Sequence, residues 1–233
     1  MDNDTDPKRI AALAGRLKKL YTAAVYDILD EMGMPNQCLD LAIKPLDRTM
    51  RIAGPAFTIA HAQDARKDDE YDIQEVKDLS FFRRVYPGAV VVMACAGAPS
   101  AGHWGELLST AAKARGATGV IVDGGVRDGN LILDIPDWTV FARYLSPIES
   151  RGRSRIRAIE QPVAVGGSLT TQVRVVPGDW IFGDMDGVIC IPAAMVEEVV
   201  RKAEDVEEVE TKVRDDVRAG MDVKAVFAKY GRM

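Results

Sequence analysis

The sequence predicts an α/β fold, a single compact layered sandwich with a long C-terminal helix. An apolar strand over 89–96, a helix over 105–115 and a β-branched strand around 120–122 indicate a βαβ unit, expected to be a right-handed crossover with parallel strands. Short apolar runs with glycine-rich turns over 161–191 indicate a β-rich half. Valines at three- and four-residue spacing predict one charged helix from Ala193 to about Arg218.

The 233 residues are predicted to form one domain, 1–233, with helices at both ends. N-terminal helices are expected over 1–35, with a break at Tyr21-Thr22 where Thr22 can cap the second segment. A C-terminal helical extension is expected over 193–233.

The early strand region contains one of the two histidines. Residues 51–61 predict two strands joined by a Gly-Pro bend and ending at His61. His61 is expected to be a partly buried polar residue, because no second metal ligand stands at a suitable spacing. Residues 62–80 are charged and predict a loop followed by a surface helix.

Composition excludes several classes of protein. The net charge is −5 and the basic residues are scattered, which argues against a nucleic-acid partner. Three widely spaced cysteines indicate buried thiols in a reducing compartment. The acidic start of the chain is unlike a signal peptide, and the apolar runs are far shorter than the ~20 residues of a membrane span. We expect a cytoplasmic protein without membrane contact.

The stretch from Gly105 to Asp128 indicates a site. About ten helical residues advance roughly 15 Å, and five or six extended residues return roughly 17–20 Å after the turn. A break at Gly124-Gly125 is predicted to end the strand, so that Arg127 and Asp128 lie level with Glu106. Free backbone N–H groups at the helix start favour an anionic ligand with a divalent cation beside it.

These residues allow other interpretations. Arg127 and Asp128 could instead form an ion pair that closes a strand-end turn. His103 lies at the carboxyl edge of the sheet and is a candidate substrate or proton contact, with a surface position as the alternative. A Schiff-base Lys113 is disfavoured by its mid-helix position, and Ser109 has no candidate histidine base.

The spacing Glu106-x20-Arg127-Asp128 resembles the signature of the RraA-like family. That family includes class II 4-hydroxy-4-methyl-2-oxoglutarate aldolases and regulators of ribonuclease E. Six further segments resemble the family in the same order: TAAVYDILDEMG, RIAGPAFTI, PGAVVVM, GATGVIVDGGVRD, VFARYLSP and PGDWIFGDMDGVICIP. The resemblance implies a swivelling-domain-like sheet assembled as a homotrimer or a pair of trimers.

The resemblance also implies roles for individual residues. Asp128 would ligate Mg²⁺ or Mn²⁺ directly, and Glu106 would hold the ion through water. Arg127, with the helix start at Gly105 and the backbone amides of the two residues after Glu106, Leu107 and Leu108, would bind a pyruvate-like group.

Two further positions bear on the comparison with the aldolases. Glu210 is the candidate for a glutamate that reaches the site from a neighbouring subunit. Leu131 stands where many members carry an acidic residue, which can loosen the water network around the ion or change the substrate.

The residue set suits enolate chemistry, and the resemblance implies a metal-dependent aldolase that cleaves a 4-hydroxy-2-oxo acid to pyruvate through a stabilised enolate, with oxaloacetate decarboxylation as a side activity. Water held by Glu106 is the predicted general base. One alternative is a non-catalytic trimeric regulator of a ribonuclease. Another is a lyase for a longer sugar-derived oxo acid, suggested by 62–80, His103-Trp104 and the basic loop 151–157.

Overall fold

The structure is a computed structural model that describes residues 6–64, 66, 70–95, 98 and 100–231. The helices are α1 (Pro7–Leu17), α2 (Thr22–Glu31), α3 (Gln74–Lys77), α4 (Glu106–Ala114), α5 (Gly129–Leu133), α6 (Val196–Arg218) and α7 (Val223–Tyr230). The strands are β1 (Lys44–Pro45), β2 (Ile52–Ala62), β3 (Val90–Ala94), β4 (Gly102–Trp104), β5 (Gly119–Val126), β6 (Thr139–Leu145), β7 (Arg155–Ile159), β8 (Val163–Gly166), β9 (Gln172–Val175), β10 (Trp180–Gly183) and β11 (Val188–Ile191).

A mixed sheet forms the centre of the molecule, in the order β1-β6-β5-β3-β2-β10-β11. Strands β2, β3, β5 and β6 are mutually parallel, as the βαβ pattern predicts. Strand β4 pairs with β5, β7 pairs with β2, and β8 and β9 form a separate hairpin. The carboxyl ends of the parallel strands therefore meet at one edge, where ligands bind in sheets of this kind.

Side chains that alternate along the central strands fill two different layers. Val91 and Met93 of β3 pack in a cluster with residues of α4 and α5. Their neighbours Val90 and Val92 pack in a second cluster with the β8–β9 hairpin. A third cluster joins α1, α2 and α6 to β10 and β11. The predicted layered α/β sandwich with a long C-terminal helix is confirmed.

The predicted strand pair over 51–61 is wrong, because β2 is one continuous strand. Gly54 and Pro55 lie inside it, where β10 pairs on one side and pairing with β3 begins only at Ala56. The missing amide of Pro55 therefore falls before the β3 ladder starts. A Cβ on Gly54 would lie 2.2 Å from the Gly88 carbonyl oxygen, so the glycine permits close approach of two backbones instead of a bend.

The predicted break at Gly124-Gly125 is also wrong. Strand β5 continues to Val126, and only its register against β6 is irregular, between Val122 and Gly125. A Cβ on Gly125 would lie 2.3 Å from both the Ala101 carbonyl oxygen and the Tyr144 ring. Tight packing against the neighbouring strands, not a turn, requires glycine here.

The break between the first two helices is confirmed, but Thr22 does not cap α2 through its own side chain. The cap position is Tyr21, and no side-chain cap bond is made there. Instead the Thr22 hydroxyl donates to Asp184 Oδ1 (2.7 Å) and the Thr22 amide donates to Asp184 Oδ2 (2.9 Å). A buried carboxylate from the β10–β11 turn therefore accepts the hydrogen bonds that the first residue of α2 donates.

Helix α6 follows a short 3-10 turn over 193–195 and holds the N-terminal helices by charge as well as by its valine stripe. Arg16 makes a two-pronged bond to Glu204, at 2.8 and 2.6 Å. Arg9 Nη2 lies 2.8 Å from Glu197 Oε1. Across the described ranges, no helix combines the length and apolar character that crossing a bilayer requires.

Candidate active site

The start of α4 and the end of β5 meet, as the segment lengths predict. Gly105 occupies the cap position of α4, and the Glu106 amide donates to Asp128 Oδ2 at 3.3 Å. The first intrahelical bond runs from the Ser109 amide to the Gly105 carbonyl (3.1 Å). The amides of Leu107 and Leu108 precede that bond, so they are the free donors expected at a helix start.

Asp128 has an uncommon backbone conformation for a residue with a side chain. Its φ and ψ are 60° and 34°, in the left-handed region. Strain of this kind costs about 1–3 kcal/mol and is concentrated at functional sites. The distance from Asp128 Oδ2 to Arg127 Nε is 3.5 Å. Asp128 Oδ1 makes no hydrogen bond to any residue that the structure describes.

Glycines on the opposite wall make room for this pair. A Cβ on Gly105 would lie 2.6 Å from Asp128 Oδ2 and 3.3 Å from Arg127 Cγ. A Cβ on Gly102 would lie 2.7 Å from Arg127 Cβ. Both positions need glycine because the Arg127 and Asp128 side chains pack directly on the backbone of β4 and of the residue that caps α4.

Arg127 and Asp128 open onto a cavity of about 270 Å³. Its wall contains all five predicted substrate-binding residues and the predicted metal ligand Asp128, together with five residues outside those predictions: Leu79, Gly102, Trp104, Glu149 and Ser150. The structure therefore brings the Arg127 guanidinium, the Asp128 carboxylate and the helix-start amides to a single concave surface.

Glu149 is a site residue that sequence reasoning missed. Its Oε1 lies 3.8 Å from Arg127 Nη1, and its side chain is half exposed. The signal was available, because Glu149 follows the Ser146-Pro147 end of β6, a strand parallel to β5. Loops after neighbouring parallel strands share one edge of a sheet.

His103 and Trp104 are buried, so the surface alternative for His103 is wrong. The Trp104 indole donates to Ser109 Oγ (2.8 Å), which gives Ser109 a structural partner. The Gly125 amide donates to His103 Nδ1 (3.2 Å), and the His103 ring stands edge-on to His61 with centroids 5.0 Å apart. His103 therefore forms part of the cavity's inner wall.

The comparison with known proteins identifies the family. A sequence model of the RraA-like family, described as Aldolase/RraA, matches residues 22–190. The chain belongs to the RraA-like family. It is 31% identical over 210 residues to a Halalkalibacterium halodurans protein named "Putative 4-hydroxy-4-methyl-2-oxoglutarate aldolase", which covers 88% of this chain and 90% of that one. It is also 28% identical over 232 residues to DlpA of Legionella pneumophila, 99% of this chain but only 35% of that protein's length.

Solved structures agree with the RraA-like assignment. The crystal structure of Streptomyces coelicolor RraAS2, described as an unusual member of the RNase ES inhibitor RraA protein family, superposes with a TM-score of 0.74. It is 25% identical, and the match covers 87% of this chain and 96% of that one. An uncharacterized Pseudomonas syringae protein, 23% identical over 94% of each chain, gives a TM-score of 0.80 and supports the fold.

Glu106, the acidic residue of the RraA-like signature, has its backbone amide at the Asp128 carboxylate and its side chain at a neighbouring groove. Its amide bonds to Asp128, whereas its carboxylate accepts a hydrogen bond from the Thr110 hydroxyl (2.7 Å). The carboxylate side lines a neighbouring groove that also contains Lys113 and Leu131. The structure therefore does not put the Glu106 side chain on the wall of the Asp128 cavity, and its role as a water-mediated ligand stays a prediction.

Glu210 is engaged within its own chain. The Tyr21 hydroxyl donates to Glu210 Oε2, and Arg214 Nη1 lies 3.4 Å from the same oxygen. Burial, with the hydrogen bond to Glu210, raises the pKa of Tyr21 to about 12. The prediction that Glu210 reaches a neighbouring subunit's site stays a prediction, and it requires this contact to coexist with that one or to open.

Two basic residues of the 151–157 loop, Arg155 and Arg157, have partners away from the cavity. Arg157 Nε lies 3.5 Å from Asp64 Oδ2, and its Nη1 donates to the Gln63 carbonyl (3.2 Å). The Arg155 guanidinium stands 5.1 Å from the centre of the Tyr71 ring. These contacts hold part of the 62–80 segment, which weakens the reason for assigning the arginines to a long substrate.

Proposed function

We propose that this RraA-like chain is a divalent-metal-dependent class II aldolase that cleaves a 4-hydroxy-2-oxo acid to pyruvate, with oxaloacetate decarboxylation as a second activity of the same site. The observation that carries the proposal is the cavity in which the Arg127 guanidinium, the Asp128 carboxylate and the free amides of α4 converge. The names of the aldolase relatives support the same reaction class.

The residues present fit a hard divalent cation. Mg²⁺ typically takes one or two carboxylates and completes its shell with water and substrate oxygens. Asp128 offers Oδ1, which has no hydrogen-bond partner in the described part of the chain, and its strained backbone keeps the carboxylate at the cavity. Mg²⁺ or Mn²⁺ bound there would supply Lewis-acid stabilisation of the enolate charge.

The remaining chemistry belongs to the protein's own groups. Arg127 presents a planar guanidinium that matches the carboxylate of a 2-oxo acid. The Leu107 and Leu108 amides, at the positive end of the α4 dipole, donate where negative charge develops on the keto oxygen. Cleavage of the adjacent C–C bond leaves the same enolate whether a carbonyl compound or CO₂ departs, so one site serves both reactions.

Retro-aldol cleavage needs a base for the C4 hydroxyl proton, whereas decarboxylation does not. We assign this proton to Glu149, because its carboxylate lines the cavity beside Arg127. Water held by Glu106 is the competing assignment. The hydrogen bond from Thr110 to the Glu106 carboxylate, and the position of that carboxylate in the neighbouring groove, argue against it. Comparison of Glu149→Gln with Glu106→Gln separates the two.

A second candidate is a non-catalytic regulator that binds a ribonuclease, because a structural relative is described as a member of an RNase inhibitor family. The acidic exposed face of α6 is the surface that this candidate would use. This regulator hypothesis predicts that the Asp128→Asn variant still binds the ribonuclease, since the cavity takes no part in that binding.

The deciding experiment measures pyruvate release from 4-hydroxy-4-methyl-2-oxoglutarate and from oxaloacetate, with Mg²⁺ and with EDTA. We expect metal-dependent turnover that Asp128→Asn lowers by at least about 100-fold, in the range of lost transition-state electrostatics. Asp134→Asn is the matched control, because Asp134 lies at the end of α5 in the neighbouring groove. Absence of turnover in a folded wild type, or equal loss in both variants, contradicts the proposal.

A further inference from the structure

Three side chains that bind transition metals meet in the interior, next to the candidate cavity. His61 lies near the end of β2, Cys95 directly follows β3, and His103 is the middle residue of β4. One potential ligand atom from each lies within 4.8 Å of the other two. All three residues are at least 95% buried. Among the described residues this is the one group of three or more such side chains that satisfies this distance.

His61 is the member whose burial the fold does not explain. Its Nδ1 is buried and has no hydrogen-bond partner in the described parts of the chain. Leaving a buried polar atom unsatisfied costs about 1–3 kcal/mol. A ligand at this nitrogen would offset the cost.

The donor set selects the kind of ion. One thiolate and two imidazoles suit Zn²⁺, whereas Mg²⁺ and Mn²⁺ prefer oxygen ligands. Zn–S and Zn–N bonds of about 2.3 and 2.0–2.1 Å place the sulfur and nitrogen atoms of a tetrahedral site roughly 3.3–3.6 Å apart. Starting from the upper limit of 4.8 Å, the ligand atoms must approach one another by at most about 1.5 Å.

We propose that His61, Cys95 and His103 bind one zinc ion, which joins β2, β3 and β4 beside the inner wall of the cavity. The ion is distinct from the one expected at Asp128 and does not depend on the proposed aldolase activity. On binding, the Cys95 thiol releases its proton to solvent as the Zn–S bond forms, and the zinc keeps its oxidation state.

A second cavity gives the ion a route to the three side chains. Cys95 lines this cavity together with Asp123 and Arg143, and its volume is about 390 Å³. That space admits the ion and leaves room for water as a fourth ligand.

His103 is expected to be the weakest of the three ligands. Its Nδ1 already accepts the hydrogen bond from the Gly125 amide (3.2 Å), so the other ring nitrogen carries the proton in the neutral ring. Zinc must replace either that hydrogen bond or that proton. His61 and Cys95 face no such competition from a backbone donor in the described residues.

The test uses the full chain with Cys38→Ser and Cys190→Ser as background, which leaves Cys95 as the sole thiol. The EDTA-washed protein is titrated with Zn²⁺ and, separately, with Co²⁺, whose thiolate charge-transfer absorption reports sulfur ligation. We expect one ion per chain with that absorption, and about 100-fold weaker zinc binding after His61→Asn or Cys95→Ser in the same background. Asp128→Asn should leave zinc affinity unchanged.

Two results overturn the proposal. One is Co²⁺ binding without thiolate absorption in the folded background protein, a result that needs no variant of the three ligands. The other is zinc affinity that Asp128→Asn abolishes and His61→Asn does not. Unaltered circular dichroism of each variant confirms that it is folded before its affinity is compared.

Discussion

The Gly105→Ala substitution tests whether the Asp128 carboxylate must lie where the structure places it. A Cβ at residue 105 would lie 2.6 Å from Asp128 Oδ2, whereas ordinary contact begins at 3.4 Å, so the carboxylate must move by 3.4 − 2.6 = 0.8 Å. The Gly105 backbone is extended, at φ −144° and ψ −171°, so alanine itself adds no strain. Misplacement of a reacting group by about 1 Å can cost about 100-fold in rate.

We therefore expect kcat/KM for pyruvate release to fall about 100-fold, or about 2.7 kcal/mol of transition-state stabilisation. The assay couples pyruvate to lactate dehydrogenase at saturating Mg²⁺. Gly15→Ala is the matched control, since a Cβ there meets nothing within 4 Å, and it should stabilise α1 by up to about 1 kcal/mol without changing activity. Activity of Gly105→Ala within about twofold of wild type would refute the reasoning, because displacement of the Asp128 carboxylate should lower the rate far more than twofold.

Three further predictions concern other parts of the molecule. Glu149→Gln should lower aldol cleavage about 100-fold or more while oxaloacetate decarboxylation stays near wild type, and parallel loss of both activities would contradict its role as the base. Thr22→Val should lower the free energy of unfolding, measured by urea titration, by about 2 kcal/mol, because buried Asp184 loses its hydroxyl donor. Thr22→Ser keeps a hydroxyl and should retain most of the wild-type stability in the same titration. Tyr21 keeps its proton in the folded chain up to about pH 12, so its contribution to folding stability is present below pH 10 and is lost as the pH rises to about 12. Tyr21→Phe should reduce this alkaline loss of stability. Identical pH profiles of stability for the two proteins would exclude the contact with Glu210.

The sequence predicts those parts of the site that depend on segment length. Helix α4 and strand β5 have the extents that return Arg127 and Asp128 to the helix start, and the bond from the Glu106 amide to Asp128 confirms this geometry. Such local arithmetic does not fix where a side chain points. The Glu106 carboxylate accepts a hydrogen bond from Thr110 because the next helical turn supplies a hydroxyl. The residue spacing does not show whether the carboxylate contacts that hydroxyl or the site across the loop.

The predictions that failed depend on contacts between distant segments. Gly54 and Gly125 look like chain breaks in the sequence, yet each lies within a strand because another backbone packs on it. Spacing rules along the chain do not identify the group of His61, Cys95 and His103, because its members lie on or directly after three different strands. Only the strand order brings them together, and pairwise spacing along one chain carries no information about that order.

The attachment of α6 to the N-terminal helices has a consequence for synthesis of the chain. Arg9 meets Glu197 and Arg16 meets Glu204, each across 188 residues. At about 5–20 residues per second, the ribosome needs roughly 10–40 s to deliver the partner of each arginine. During that interval the apolar face of α1 lacks the α6 part of its cluster. The nascent N-terminal helix is thus the segment on which we expect chaperones to act while the rest of the sheet is being made.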